Sequence, residues 1–178
     1  GSEINRKSLE TDLLHLFKAI PDIICITDLQ GRFLKINKAG CDLLGYTEDE
    51  ILYESFNSLV HPDDKESTLH KVAKLVQGEK IFKFENRFVT KKGDLVWLSW
   101  TCNSELNEGL IYAAAKNITN EKLVPYSEEL KGSIILSIDG IKATDVESIS
   151  RNLGSKSEKQ GVRVELMLKN GQVMRIIL

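Results

Sequence analysis

The chain has 178 residues, 42% hydrophobic and 28% charged, a length for one domain or two small ones and an ordinary globular composition. That excludes a disordered chain, collagen and a coiled-coil rod, and no apolar run approaches the ~20 residues of a bilayer span. Net charge is −2, split as −3 over 1–120 and +1 over 121–178, without the concentrated positive charge that nucleic-acid binding uses. Gly1-Ser2 reads as the scar of a tag-removing protease, and no secretory signal is expected. Leu9, Leu13, Leu16, Phe17 and Ile20 recur at helical spacing. They predict an amphipathic helix over 5–20, ended by Pro21. A β-rich run over 22–27, the turn Asp28-Leu29-Gln30-Gly31 and a second strand over 33–36 predict a hairpin. Asn37 is placed to cap a short helix over 38–44 that Gly45 stops. Thr47 and Glu50 have the spacing of a capping box for a helix over 48–53.

Pro62 suits the first turn of a longer helix, with Asp63, Asp64 and Glu66 at its positive end. Its expected buried stripe is Leu69, Val72, Leu75 and Val76, and Gly78 ends it. Strands follow over 80–90, 95–105 and 109–118, joined through Lys91-Lys92-Gly93-Asp94 and Asn107-Glu108-Gly109. This order predicts an antiparallel sheet with helices over one face. The polar stretch 119–131, with Pro125, reads as a linker. Beyond it come a strand over 134–138, a helix introduced by the capping pair Thr144 and Glu147, and a hairpin over 162–178. That helix would turn Val146, Ile149 and Leu153 inward. A unit of about 48 residues is near the lower limit for a self-sufficient core, so it is expected to lean on something else.

Cys25, Cys41 and Cys102 are an odd number with no close pair and apolar neighbours. They read as free thiols in a reducing compartment, and a cytoplasmic location is expected. The three histidines, His15, His61 and His70, are scattered without metal-ligand spacing, so no metal site is expected. No Gly-rich phosphate loop, Walker lysine motif or nucleophile elbow is present in the sequence, so no enzyme is expected. Asp63-Asp64 and Glu48-Asp49-Glu50 read as solvated helix starts rather than catalytic carboxylates.

Five signatures stand in order along residues 10–121. They are Thr27-Asp28-Leu29-Gln30-Gly31, the run from Asn37 through Leu44-Gly45-Tyr46, His61-Pro62-Asp63-Asp64, Lys91-Lys92-Gly93-Asp94 with Trp97, and Asn117-Ile118-Thr119. In this series the stretch resembles a PAS domain of the kind found in bacterial sensor histidine kinases. The run from Leu130 through Gly132-Ser133-Ile134-Ile135-Leu136 to Asp139-Gly140, with the helix and hairpin after it, resembles the second half of a PDZ domain of the bacterial protease-associated type. The first half of that domain, which supplies the carboxylate-binding loop and peptide-pairing strand, has no counterpart in 119–130. The junction is read either as natural or as a recombined chimera.

These resemblances imply an α+β fold: a PAS-type five-stranded antiparallel sheet with helices on one face, plus a small C-terminal β-α-β-β PDZ-like unit. The expected parts are a helix over 3–20, a PAS domain over 21–120, a linker over 121–131 and the partial PDZ-like unit over 132–178. The sheet face expected to look into a PAS cavity carries Ile23, Cys25, Thr27, Leu98, Trp100, Cys102, Ile111, Ala113 and Ala115, with Phe56 beside it. This cavity is read either as a filled core or as a pocket for a small apolar or aromatic ligand. Light-sensing relatives place a reactive cysteine where Phe56 stands and a flavin-reading glutamine where Ala115 stands. His70 lies too far along its helix for the haem position, so no cofactor is expected. The implied function is a non-catalytic sensory module acting through ligand- or partner-dependent association. Leu9, Leu13, Leu16 and Phe17 would be the surface of a homo-oligomer. The alternatives are protein or peptide docking against Val146, Ile149 and Leu153, or an engineered chimera of PAS and PDZ fragments with no natural function.

Overall fold

The computed structural model describes residues 2–123, 132–145 and 161–177. Helix α1, Ser2–Ala19, leads into strands β1, Ile23–Asp28, and β2, Phe33–Ile36. Short helices α2, Lys38–Leu44, and α3, Glu48–Ile51, then cross the sheet and are followed by α4, Lys65–Val76. Strands β3, Ile81–Val89, β4, Leu95–Glu105, and β5, Leu110–Asn117, complete the first unit. All its pairings are antiparallel, in the order β2-β1-β5-β4-β3.

Strand alternation defines the two sheet faces. Ile23, Cys25 and Thr27 are buried, while Ile24, Ile26 and Asp28 between them are only partly covered. On β4 the buried set is Val96, Leu98 and Trp100. These side chains join Phe33, Ile36, Leu44, Ile51, Val60 and Phe88 in one core. The caps follow the local sequence. Asn37 Oδ1 accepts from Gly40 N and from Ile24 N, both at 3.0 Å. Its Nδ2 donates to Asp22 O at 2.8 Å, so one buried amide joins α2 to β1. Gly45 closes α2 in the left-handed conformation, and the Thr47–Glu50 capping box forms.

Four expectations need correction. In α4 the buried residues are Thr68 and Leu75, with Val72 half-buried, whereas Leu69 and Val76 face solvent. Thr68 Oγ1 donates to Asp64 O and accepts from Asn86 Nδ2, and these polar contacts set the helix's rotation where an apolar count does not see them. The supposed linker begins as a helix, α5, Thr119–Leu123. Asn117 Oδ1 accepts from both Thr119 N and Thr119 Oγ1 and so starts it. Asp64 is no solvated helix start. It takes Arg87 Nε at 2.9 Å and a second guanidinium nitrogen at 2.7 Å. Finally, the sheet is mixed rather than purely antiparallel.

That last correction comes from the C-terminal unit. Its described strands are β6, Ile134–Ile138, a two-residue β7, Ile141–Lys142, absent from the expected pattern, β8, Arg163–Met167, and β9, Val173–Ile177. They pair antiparallel in the order β7-β6-β8-β9. Strand β9 then continues the sheet onto β4 through one parallel bridge, Leu95 with Ile176. The expected helix with Val146, Ile149 and Leu153 lies outside the described residues.

Candidate functional site

The inner face of the first unit encloses a cavity of about 60 Å³, small beside the roughly 300–1,000 Å³ of a pocket for a drug-sized ligand. Seven expected residues line it: Cys25, Thr27, Phe56, Trp100, Cys102, Ile111 and Ala113. Ile23, Leu98 and Ala115 do not. They lie on the same face but are packed into the core with Leu44 and Ile51, which fill that end of the sheet. The remaining walls were missed by strand alternation. Phe33, Ile81, Phe84, Asn86 and Phe88 come from β2 and β3, and Thr68, Lys71, Val72 and Leu75 from α4. Once α4 is turned to bring Thr68 inward, its i, i+3, i+4 and i+7 neighbours necessarily follow.

Phe56 is held over the first hairpin. Gly31 has φ +81°, and a Cβ there would fall 2.1 Å from the Phe56 ring. Only a residue without a side chain lets the ring approach the turn so closely. Among the walls one polar chain crosses the layers. Trp100 Nε1 donates to Asn86 Oδ1 at 2.8 Å, Asn86 Nδ2 to Thr68 Oγ1 at 3.1 Å, and Thr68 Oγ1 to Asp64 O at 2.7 Å. Cys25 and Cys102 both sit in register with Ala113, one on each neighbouring strand. Two strand spacings, about 9–10 Å, exceed the roughly 7 Å Cα limit for a disulfide. Burial pushes both thiols up, that of Cys102 to about 12, so both face the cavity as neutral groups.

The polar chain reaches the outer surface at Asp64. Hydrogen bonds from Arg87 hold its carboxyl below the usual carboxylate range. The Arg87 guanidinium lies 5.2 Å from the Trp97 ring centre, and Lys122 of α5 lies 5.1 Å from the same centre while pairing with Glu85. His61 is half-buried, its Nδ1 accepting from Asp63 N at 3.2 Å. His70 is exposed and is not among the cavity walls. Among the described residues no three His, Cys, Asp or Glu side chains form a group fit for a metal, and no helix is long and apolar enough to cross a membrane.

The dimer-helix residues are placed outside the core. Leu9, Leu13 and Leu16 are more than half exposed, and Phe17 is half-buried. Leu13, Leu14 and Phe17 form one wall of a 1420 Å³ groove whose other wall is the outer sheet face, including Ile24, Ile26, Tyr112 and Ala114.

A five-stranded sheet of this order, cupping a small cavity under short helices, is matched by sequence: residues 33–109 fit the family model of the PAS fold. The first unit has a PAS-like α+β fold. Over 75 residues the chain is 35% identical to the probable diguanylate cyclase DgcE of Escherichia coli and 29% identical to the sensor histidine kinase TmoS of Ectopseudomonas mendocina. Each match takes in 42% of this chain, which spans only 7% of the cyclase and 8% of the kinase. A solved domain of a sensory box sensor histidine kinase/response regulator from Geobacter sulfurreducens is 28% identical, with a TM-score of 0.55. That alignment covers 61% of this chain and 93% of the solved one. Both sequence relatives are signalling proteins of which this chain spans only a small part.

Proposed function

We propose that this chain is a non-catalytic sensory module in which the PAS cavity takes a small apolar ligand and the readout is a change in self-association through α1. The observation that carries the reading is a pair of unsatisfied apolar surfaces on one domain. Cys25, Phe56, Trp100, Cys102, Ile111 and Ala113 leave a small unfilled space inside. Leu9, Leu13 and Leu16 lie uncovered outside. An apolar helix stripe of this length is a surface that association covers. A second copy fits the groove because each protomer would offer both an apolar helix and an apolar sheet face. The module works in the cytoplasm, without metal or cofactor, and neither nucleic acid nor membrane is its partner.

Sedimentation of the wild type against Leu13→Glu/Leu16→Glu tests this reading. The wild type is expected to sediment as a dimer and the variant as a monomer with an unchanged circular dichroism spectrum. A wild type that remains monomeric at high concentration refutes the association. A second reading, peptide docking through the PDZ-like part, rests on the resemblance of 128–178.

A further inference from the structure

Asp94 sits at the β3–β4 turn, where a carboxylate would ordinarily be hydrated. Here its residue is 1% exposed. The cover comes from the C-terminal unit: Arg163 Nε of β8 donates to Asp94 Oδ2. The other oxygen, Oδ1, is buried with no hydrogen-bond donor among the described residues. The turn itself does not need the carboxylate, because Thr90 N donates to Asp94 O and Asp94 N to Thr90 Oγ1.

The backbone beside Asp94 offers a short open edge. Strand β5 pairs with β4 only from Leu98 onward. At Trp97 the edge is taken by the start of α5, since Thr119 Oγ1 accepts from Trp97 N and Ile118 N donates to Trp97 O. Leu95 is left, and Ile176 of β9 pairs with it in parallel. Unpaired edges are where strands add.

We infer that the Asp94–Leu95 end of β4 is a reversible docking site for an arginine-bearing strand, occupied here by the chain's own β8–β9 hairpin. Reversibility follows from the kind of contact. A buried ion pair with an unsatisfied oxygen gains little over its desolvation cost, and one strand bridge adds little more. Asp94 and Leu95 hold the docked hairpin, and Trp97, two residues on, holds the start of α5. Opening the site therefore changes the support of the segment by which the chain leaves the PAS domain. This inference does not depend on the ligand or the α1 dimer proposed above.

Hydrogen exchange of the full chain tests it, read on peptides covering 94–97. Arg163→Met keeps most of the side-chain stem but leaves Asp94 buried and unpaired, so exchange there should rise roughly tenfold. Asp94→Leu/Arg163→Met replaces the pair with apolar side chains of similar volume and should return exchange to within about twofold of wild type, as apolar replacements of buried ion pairs do. Unchanged exchange in Arg163→Met overturns the inference. So does a double variant that stays as open as Arg163→Met, because the single variant's effect is then not an uncompensated charge.

Discussion

Trp100→Phe isolates the polar chain that crosses the cavity wall. Trp100 is 7% exposed and Asn86 2%, so the Nε1 to Oδ1 bond at 2.8 Å is shielded from water. Phenylalanine keeps a ring beside Phe88, whose centre lies 5.4 Å away, but it has no donor. Asn86 Oδ1 is then buried without a partner, which costs about 1–3 kcal/mol. The smaller ring also enlarges the existing cavity, adding about 1 kcal/mol of lost contact and transfer energy. The sum, about 2–4 kcal/mol, should appear as a lower urea midpoint at unchanged m-value, followed by circular dichroism. A loss below about 0.5 kcal/mol, the range of ordinary surface substitutions, refutes the reasoning, because water or another group must then satisfy Asn86. The cycle with Asn86→Leu separates the bond from the ring. Trp100→Phe/Asn86→Leu should be less destabilised than the sum of the singles by about 1–2 kcal/mol. Strict additivity would mean that only ring volume matters.

Two further expectations rest on single contacts. Gly31→Ala meets both a left-handed backbone at φ +81° and the Phe56 ring 2.1 Å from its Cβ. It should cost about 2–3 kcal/mol, and Phe56→Ala in the same chain should recover the steric share but not the backbone share of about 1 kcal/mol. Asp64 is held below its ordinary value by Arg87, so the unfolded chain binds its proton more readily than the folded one. Its contribution is complete above the unfolded value of about 3.9 and fades as the pH falls through the lower folded value. Asp64→Asn should therefore lower stability at pH 7 and flatten its loss on acidification. Parallel acid-unfolding curves for the two proteins would contradict this.

The parts of the fold set by local chemistry were legible in the sequence. Asn37, Gly45, Thr47 and Glu50 cap their helices through neighbours a few residues away, and strand alternation separated Cys25 and Thr27 from Ile24 and Ile26. What escaped is what long-range polar contact decides. The stripe Leu69, Val72, Leu75 and Val76 is a plausible buried face by apolar count. The real face is turned by Thr68, whose partner Asn86 is 18 residues away. Arg163 and Asp94 are 69 residues apart, and neither has an apolar signature that would predict burial. Half the cavity wall was missed for the same reason, because Lys71 and Asn86 are polar and Phe33 and Phe84 belong to strands whose inward faces were not assigned.

The same polar contacts give the domain a continuous mechanical line. Thr68 Oγ1 bonds both Asn86, which holds the cavity-wall indole of Trp100, and the backbone oxygen of Asp64. The carboxylate of that same Asp64 takes Arg87 N at 2.7 Å as well as its guanidinium. It therefore fixes β3 by both backbone and side chain. Arg87 and Lys122 in turn both contact the Trp97 ring, one from β3 and one from α5. A ligand that displaced the Trp100 indole would take the donor from Asn86, whose polar neighbours along the described cavity wall include Thr68 and Lys71 of α4 and Thr27 of β1. A contiguous set of contacts is not itself coupling. It becomes coupling where an element has two arrangements, and α5 begins beside the stretch 95–97, which β3 pairs along one edge and a single β9 bridge meets on the other. The apolar core covers the inner face of the first sheet. The buried polar residues carried at its edge make the exit from that sheet adjustable.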